Sequence, residues 1–469
     1  MTATVGIQVW LLLLLIITAT WALFSSLLMP GVRWFLRRRI NRAIERVNAS
    51  LEIEIQPIQY TRKQILADRV AFDPAVVEAV RTHSTEHGMT REVAQSLATT
   101  YAKEIVPSFN AYMYFRFGEW LTRRVSRFLY RVRLNTAEDA GLDHVSPNAS
   151  VVFVMNHRSN VDYMLVTHLV ARQTALSYAV GEWARFWPLH QLLRGLGAFF
   201  VRRNSSDPLY RKVLERYVQM ATEEGVCQAV FLEGGLSRDG HLRTPKIGFL
   251  DYMMRAYDPD TGRDIVFIPI GINYDHVLED INLTRDLDPD AHKRTTWGHM
   301  RAVVRFLRQN LRVDPRERWR RMGYAGVNFG VPVSALEFCQ ARNIRPNALD
   351  RNQRSPHMEA FAADLMSAIE HVIPVLPVPL VCRALSDADG SGLKSLEVVA
   401  RSHDLVDTFI ANGAAMKPSE KPRQKTVVNA LEMLRLRGLI TEEDDVYRID
   451  DAHRPLIDYY ANSLAHFTK

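Results

Sequence analysis

The stretch that decides the fold is residues 151–170, with the sequence VVFVMNHRSNVDYMLVTHLV. Its first five residues, Val151–Met155, are apolar, which favours a strand buried on both faces of a sheet. A polar segment follows, and the apolar run Met164–Val170 is then typical of a helix. Strand, turn and helix in this order predict a unit of a parallel α/β sheet. Because functional sites in such sheets usually lie at the carboxyl ends of the strands, the polar segment is a candidate site.

Further β-rich apolar runs recur between about residues 136 and 335, each followed by a turn and helix-like sequence. This alternation predicts an α/β domain with a mainly parallel sheet. Besides Val151–Met155, the predicted strands are Ala229–Leu232 and Ile265–Ile270, with weaker candidates at Leu176–Val180 and Ala198–Val201. The run Ile265–Ile270 contains Pro269, which cannot donate a ladder hydrogen bond, and this favours an edge strand or a strand end.

Helical sequence flanks this domain on both sides. Residues 33–135 read mainly as helix and contain few turn signals. Residues 336–469 read as helix again, interrupted by Pro374, Pro377 and Pro379 and by the linker Lys417–Lys425. Near the carboxyl terminus, Thr426–Asp450 predicts a helix, a short turn and a possible hairpin, superficially like a winged helix. A nucleic-acid-binding helix needs clustered basic residues, and this one offers only Arg435 and Arg437. We therefore expect no nucleic-acid partner.

The amino-terminal residues 1–32 carry no charged side chain, and Val9–Met29 is almost wholly apolar. At about 1.5 Å per residue, this stretch spans the roughly 30 Å hydrocarbon core of a bilayer. We interpret residues 1–32 as a membrane anchor. A helix that lies in the interface, or is buried against the protein, is the alternative. A secretory signal peptide is disfavoured, because it would have a basic amino-terminal region and a shorter apolar stretch.

Basic residues follow the apolar stretch and, by the positive-inside rule, place the rest of the chain in the cytoplasm. The net charge of the whole chain is +7. With an apolar anchor beside the arginines, a surface of anionic phospholipid headgroups is the simplest partner. The arginines are Arg33, Arg37, Arg38, Arg39, Arg42 and Arg46.

Length and composition bound the class of protein. A chain of 469 residues is too long for one compact core, so two or three structural regions are expected. The hydrophobic fraction of 47% is ordinary for a globular protein and argues against a polytopic membrane protein. Cys227, Cys339 and Cys382 are widely spaced, which suits a reducing compartment and predicts neither a disulfide framework nor a zinc site.

The polar segment after the first strand contains a histidine and an aspartate, His157 and Asp162. They can meet if the histidine lies in the loop and the aspartate in the first helical turn. An imidazole held in one tautomer by a carboxylate can take the proton of an alcohol as the alcohol attacks. The spacing alone is weak evidence, because His453 and Asp458 repeat it in a helix-like tail. The strand that precedes His157 favours the first pair.

Two arginines, Arg202 and Arg203, end the apolar run Ala198–Val201. A guanidinium group binds phosphate with paired donors and keeps its charge. These residues are therefore candidate phosphate ligands. Taken alone, a basic surface loop is the simpler interpretation of the pair.

A glycine-containing segment, residues 233–240, follows the strand Ala229–Leu232. Paired glycines let the backbone turn tightly and bring amide groups close to a ligand. The cations and the serine of this region can contact an anion, and Glu233 could orient an arginine or a substrate hydroxyl. As a glycine turn alone, the segment would be a hairpin loop. The candidate binding residues are Glu233, Gly234, Gly235, Ser237, Arg238 and Lys246.

In their order along the chain, these motifs resemble those of the glycerol-3-phosphate acyltransferases and, more broadly, of the glycerolipid acyltransferase superfamily. The resemblance covers about residues 150–335, and Val327–Gly330 and Arg454–Asn462 are more weakly similar to the longer family members. It implies a membrane-bound enzyme of phospholipid biosynthesis that transfers a fatty acyl group to the sn-1 hydroxyl of glycerol 3-phosphate. Acyl-CoA or acyl carrier protein would be the donor, without a metal, a cofactor or a covalent acyl-enzyme.

The resemblance also implies roles for individual residues. His157 would be the general base and Asp162 its partner. The acceptor-site residues around the phosphate would be Arg202, Glu233, Ser237 and Arg238.

One departure bears on the acceptor, because the family commonly has arginine where this chain has Leu236. An enzyme that acylates lysophosphatidate to phosphatidate is the first alternative, although the long helical flanks and the Pro245–Lys246 extension favour glycerol 3-phosphate. A non-catalytic membrane adaptor with the same fold is the second alternative.

Overall fold

The computed structural model describes residues 8–10, 14–16, 18, 51, 53–59, 61–111, 113–135, 145–171, 173–181, 189–202, 205–285, 314, 320–388, 391–416 and 422–468. The chain divides into two compact units, residues 1–54 and residues 55–469, and the fold below is that of the second. In the described ranges, no helix is both long and apolar enough to cross a membrane. Apart from seven residues, the predicted anchor at 1–32 lies outside the described residues.

A mainly parallel sheet forms the centre of the second unit, with eight strands in the part of the chain that the structure describes. The strands are β1 (Arg131–Asn135), β2 (Ser150–Met155), β3 (Ser177–Val180), β4 (Ala198–Phe200), β5 (Gln228–Phe231), β6 (Ile265–Tyr274), β7 (Tyr324–Phe329) and β8 (Val333–Ser334). Their order is β1-β7-β6-β2-β5-β3-β4, and β8 pairs with β6. All five strands that the sequence predicts are present, and the mainly parallel sheet is confirmed.

Strand β2 lies in the middle of the sheet, parallel to β6 on one side and to β5 on the other. All six of its residues are buried, as its continuous apolar sequence predicts. Val154 lies opposite Val230 of β5 and opposite Pro269 of β6. The carboxyl ends of β2 and β5 therefore reach the same edge of the sheet, and the loops that follow them are neighbours.

The expectation that Pro269 marks an edge strand or a strand end is wrong. Strand β6 is a ten-residue internal strand, antiparallel to both β7 and β8. β8 pairs with β6 up to Phe267 and β7 pairs with it from Ile270 onward, so neither strand has a residue paired with Pro269. The proline carbonyl accepts a hydrogen bond from the amide of Gly330 at 2.8 Å. A proline is tolerated here because the ladder changes partner at this position.

Helices surround the sheet and build most of the carboxyl-terminal region. Before β2 they are α1 (Lys63–Ala71), α2 (Pro74–Glu86), α3 (Arg91–Ile105) and α4 (Glu119–Leu129). Between the strands of the sheet lie α5 (Asp162–Val170), α6 (Leu189–Gly195), α7 (Pro208–Glu223), α8 (Gly248–Met254) and α9 (Asp280–Arg285). After β8 follow α10 (Ala335–Arg342), α11 (Arg351–His371), α12 (Pro377–Ser386), α13 (Ser395–Ala411), α14 (Gln424–Leu436) and α15 (Arg454–Asn462).

The flanking regions differ from the prediction in one detail and agree with it in another. The stretch to residue 135 is not helical throughout, because α4 ends at Leu129 and β1 then joins β7. The predicted hairpin near the carboxyl terminus is confirmed as β10 (Ile440–Glu443) and β11 (Val446–Ile449), which extend a small sheet with β9 (Leu393–Lys394).

The largest described core joins α1, α2, α3, α7, α8 and α11 to one face of the sheet. A smaller cluster around Leu380, Val406 and Phe409 holds α12 and α13 together. The three cysteines are buried and unbonded to one another. The helices after residue 335 therefore share in the same packed body as the sheet.

Gly271 marks the tightest contact between β6 and the segment after α11. A methyl group on its α-carbon would lie 2.4 Å from the carbonyl oxygen of Val372 and 2.6 Å from the amide nitrogen of Ile373. Both are backbone atoms, so neither can turn away. Gly248, the first residue of α8, has no heavy atom within 4 Å of the same position.

We expect Gly271→Ala to lower the free energy of unfolding by about 1–3 kcal/mol, the usual cost of overpacking a filled core. Gly248→Ala should be neutral or stabilising by up to about 1 kcal/mol, because alanine is the better helix former. Urea unfolding of the two variants measures both values. Equal stability of the pair would show that the segment after α11 is not held against β6.

Candidate active site

His157 and Asp162 lie side by side at the carboxyl end of β2. His157 is in the loop two residues after the strand, and Asp162 is the first residue of α5. The imidazole Nδ1 lies 2.9 Å from Asp162 Oδ2. The amide of Asp162 donates to the carbonyl of Ser159 at 3.1 Å, and this turn folds the aspartate back toward the histidine. The structure thus brings together the two residues that the sequence singled out.

The Asp162 carboxylate is fully buried and accepts four hydrogen bonds. Besides His157, Oδ2 accepts from the amides of Arg158 at 2.7 Å and Ser159 at 3.0 Å, and Oδ1 accepts from the hydroxyl of Tyr274 at 2.6 Å. An ionised carboxylate can only accept, so Nδ1 of His157 carries the hydrogen of their bond. In the neutral ring, the lone pair of Nε2 is then free to take a proton.

The ring of His157 is also fixed from the side of β5. It stacks on Phe231, the last residue of that strand, with ring centroids 3.9 Å apart. Its backbone amide donates to Glu233 Oε1 at 2.8 Å, and its carbonyl accepts from the amide of Ser237 at 3.1 Å. The glycine-containing segment is therefore hydrogen-bonded directly to the backbone of the histidine.

Glu233 acts inside this framework. Its second oxygen, Oε2, accepts from the amide of Arg243 at 2.9 Å. Burial raises the pKa of Glu233, against the opposing effects of the Arg158 charge and of the two amide donors. Both carboxylate oxygens thus hold backbone, and the predicted contact of Glu233 with an arginine or a substrate hydroxyl stays a prediction.

Ser237 is likewise engaged within its own loop. Its hydroxyl donates to the carbonyl of His241 at 2.7 Å and accepts from the amide of Gly240 at 3.1 Å, and the side chain is fully buried. Gly234 has a φ of +64°, and a methyl group there would lie 2.8 Å from Cγ of Lys246. The chain needs glycine at this turn for both reasons.

Exposed cations line the outer side of the same segment. Arg238 and Lys246 are exposed, and so is Arg243, whose Nη1 donates to the carbonyl of Leu236 at 3.3 Å. The same nitrogen lies 2.9 Å from where a methyl group on Gly235 would stand. These three side chains place positive charge beside the loop that is bonded to His157.

Arg202 lies apart from this cluster, at the end of β4. Its guanidinium forms two hydrogen bonds with Glu104, Nε to Oε1 at 2.9 Å and Nη2 to Oε2 at 2.6 Å, and it packs over the rings of Tyr101 and Tyr210. The bond to Glu104 raises the pKa of Arg202. β4 is the third strand from β2 on that side, a separation of about 14 Å at the usual strand spacing.

The phosphate role of Arg202 stays a prediction, with Glu104 as the competing anion. Arg203 lies outside the described residues. His453 pairs with Asp450 at 3.1 Å, whereas Asp458 bonds to Arg454, so the second His-Asp spacing does not form a pair. In the ranges described, no three histidine, cysteine or acidic side chains are grouped so that they could hold a metal ion.

Sequence reasoning missed three residues of the site. Arg158, next to the histidine, is buried and its Nη1 donates to the carbonyl of Gly240. Tyr274 lies four residues beyond the predicted end of β6, and extending that strand through its continuing alternation would have found it. Glu279, which bonds to Ser159 and Asn160, has no local signal in the sequence.

Two family models match parts of the chain. Residues 137–273 match the family model described as "Acyltransferase". Residues 311–468 match the model described as "Glycerol-3-phosphate acyltransferase C-terminal region". The two matched segments include β2, the His157–Asp162 pair (the dyad below), the glycine-containing segment and the helices α10–α15.

Curated relatives carry the same description. A glycerol-3-phosphate acyltransferase from Actinobacillus succinogenes is 25% identical over 422 residues, which cover 86% of this chain and 49% of the relative. One from Pseudomonas aeruginosa is 26% identical over 448 residues, 92% of this chain and 51% of the relative. The chain therefore spans about half the length of the curated relatives it matches. A crystal structure of a 1-acyl-sn-glycerophosphate acyltransferase from Thermotoga maritima aligns at 16% identity with a TM-score of 0.30, covering 65% of this chain and 94% of that one.

Proposed function

We propose that this chain, which matches the acyltransferase and glycerol-3-phosphate acyltransferase family models, transfers a fatty acyl group from a thioester to the sn-1 hydroxyl of glycerol 3-phosphate. The product would be lysophosphatidate. The observation that carries this proposal is the 2.9 Å bond between His157 Nδ1 and Asp162 Oδ2 at the carboxyl end of β2. That bond leaves Nε2 as a base directed away from the buried aspartate.

In the proposed reaction, Nε2 of His157 takes the proton of the acceptor hydroxyl as its oxygen attacks the thioester carbonyl. The imidazolium that forms is stabilised by Asp162, whose charge is buried beside it. Collapse of the tetrahedral intermediate breaks the carbon–sulfur bond, and the departing thiolate takes the proton back from the imidazolium. The acyl group passes directly to the acceptor, so this mechanism needs no acyl-enzyme.

The acceptor phosphate would bind the exposed cations of the glycine-containing segment. Arg238, Arg243 and Lys246 flank the loop whose backbone is bonded to His157, so a phosphate held there would lie near the base. Arg243 Nη1 beside Leu236 supplies positive charge next to a position that carries none. The remote phosphate would in this way help to orient the hydroxyl.

The donor and the location extend the same proposal. Acyl-CoA or acyl carrier protein would supply the thioester. The enzyme would work at a phospholipid surface with its catalytic domain in the cytoplasm, because arginines 33–46 follow the apolar stretch. Membranes are where a long-chain acyl product would partition.

The function is tested by offering glycerol 3-phosphate and lysophosphatidate to membranes that contain the protein. The donors are acyl-CoA and acylated acyl carrier protein, each with a labelled acyl group. We expect acylation of glycerol 3-phosphate. Transfer only to lysophosphatidate would show that the protein makes phosphatidate instead. If no phosphoglycerol acceptor is acylated from either donor, a non-catalytic membrane adaptor with this fold is the better description.

For the dyad, we expect His157→Ala to lower kcat by about 10²–10⁴-fold, the usual contribution of a general base. Asp162→Asn should be nearly as harmful, since the amide no longer fixes the ring. Tyr274→Phe removes one hydrogen-bond donor from Asp162 and should lower kcat about tenfold, comparable to the loss of one hydrogen bond to a charged group. His453→Ala is the control, because its bond to Asp450 is exposed. Loss of activity there, with His157→Ala still active, would reverse the assignment.

For the acceptor, we expect Arg238→Ala to raise the KM for glycerol 3-phosphate by about tenfold or more, through loss of a charge-assisted contact. The donor KM should change little. Arg238→Lys should restore only part of the loss, because lysine lacks the planar fork. Leu236→Arg, which adds a cation to the same loop, should lower the acceptor KM. Arg202→Ala, measured in the same assay, tests whether the arginine bound to Glu104 also contributes to the acceptor KM. A raised donor KM with an unchanged acceptor KM would place these arginines on the donor phosphates instead.

A further inference from the structure

Two adjacent acidic residues, Glu279 and Asp280, connect the dyad loop to the carboxyl-terminal helices. Glu279 faces the loop between β2 and α5. Its Oε2 accepts from the hydroxyl of Ser159 at 2.7 Å, and its Oε1 accepts from the amide and the side-chain nitrogen of Asn160 at 3.3 and 3.1 Å. Ser159 and Asn160 lie between the histidine and the aspartate in sequence, so Glu279 holds the turn that brings the pair together.

Asp280 faces the other way, toward helices α14 and α15. Its carboxylate is buried and accepts from Nη2 of Arg437 and from the hydroxyl of Tyr460. Burial alone would raise the pKa of Asp280, but the charges of Arg437 and His276 and the hydrogen bonds from Tyr460 and the amide of Ile281 together outweigh it, so the pKa lies below its ordinary value. The Tyr460 hydroxyl also accepts from the amide of Val277 at 3.0 Å. The segment 277–280 is thus bonded at both ends to the carboxyl-terminal region.

Helix α15 reaches the glycine-containing segment as well. The side chain of Asn462 donates to the carbonyl of Asp239 at 2.9 Å. A methyl group on Gly240 would lie only 1.9 Å from the carbonyl oxygen of Tyr459, so loop and helix are in backbone contact. Helix α15 therefore contacts two segments of the site. Tyr460 bonds to the segment 277–280, which holds the loop between β2 and α5, and Asn462 bonds to the glycine-containing segment.

We propose that Arg437, Tyr460 and Asn462 are positioning residues, through which the carboxyl-terminal helices set the geometry of both loops of the active site. Arg437 and Tyr460 act on the dyad through Asp280 and Glu279. Asn462 acts, through the carbonyl of Asp239, on the neighbouring cations that are proposed to bind the acceptor phosphate. The inference rests on the proposed function for its kinetic meaning and assigns the region after residue 335 a part in positioning the active site.

The two contacts predict different kinetic effects. Tyr460→Phe and Glu279→Gln should each lower kcat by about tenfold, comparable to the loss of one hydrogen bond to a charged group, with both KM values within about twofold of wild type. Asn462→Ala should instead raise the acceptor KM by about threefold and leave kcat nearly unchanged. Arg437→Met should resemble Tyr460→Phe, with Arg437→Lys restoring part of the rate because it keeps the charge.

Arg454→Ala is the matched control on the same helix. Its bond to Asp458 at 3.2 Å is partly exposed, and such pairs near the surface contribute little. We expect its rate constants and melting temperature to equal those of wild type. Thermal unfolding of every variant defines a temperature at which all are folded, and the kinetics are measured there. If Arg437→Met does not fold, Tyr460→Phe carries the test, since it removes a single hydroxyl.

Unchanged kcat in Tyr460→Phe and Glu279→Gln at that temperature, with lowered melting temperatures, would overturn the proposal and leave a purely structural contact. A wild-type protein that acylates no acceptor would refute the proposed function instead. Amide hydrogen exchange of residues 156–163 then decides the positioning separately. Faster exchange in Tyr460→Phe than in Arg454→Ala supports it, and equal exchange overturns it.

Discussion

The buried carboxylate of Asp162 is the interaction on which the site depends. An anion removed from water is costly unless donors surround it. Here the donors come from two elements: the loop after β2 supplies the imidazole of His157 and the amides of Arg158 and Ser159, and β6 supplies the hydroxyl of Tyr274. Satisfying this one charge fixes the loop conformation, the tautomer of the histidine and the relative position of two neighbouring strands. A change in any of these elements would leave the carboxylate short of a donor.

The parallel sheet explains why the other parts of the site gather around this charge. β2 and β5 are adjacent and parallel, so the loops that leave them must meet at one edge. Glu233 uses both of its oxygens to join these loops, bonding to the amide of His157 and to the amide of Arg243. The side chains that hold backbone in place are buried, whereas the cations on the outer side of the loop are exposed. Framework and binding surface are thus separate sets of residues within one motif.

The sequence was informative where a local pattern controls the structure. Continuous apolar runs predicted all the parallel strands around β2, and the polar segment after β2 predicted the dyad, because both depend on neighbours in sequence. It was uninformative where a contact joins distant positions. Arg202 and Glu104 are 98 residues apart, and Tyr274 is 112 residues from Asp162. Pro269 misled for the same reason, since the change of ladder partner beside it depends on where β7 and β8 pair.

The contrast between Arg202 and Arg238 shows why charge alone does not locate a phosphate site. Both arginines follow strands of the sheet, and both fit the same sequence argument. Arg202 already donates two hydrogen bonds to Glu104 and packs on two tyrosine rings, so a phosphate there would compete with the carboxylate of a partly buried ion pair. Displacing the carboxylate would break both hydrogen bonds from Arg202 to Glu104, and breaking a partly buried ion pair is costly. Arg238 is exposed on a loop bonded to the backbone of His157, and under the proposed function a phosphate bound there would lie near the base without breaking such a pair. Under the proposed function, the glycine-containing segment is therefore the first place to test for the acceptor phosphate, and Arg202 at the end of β4 is the second.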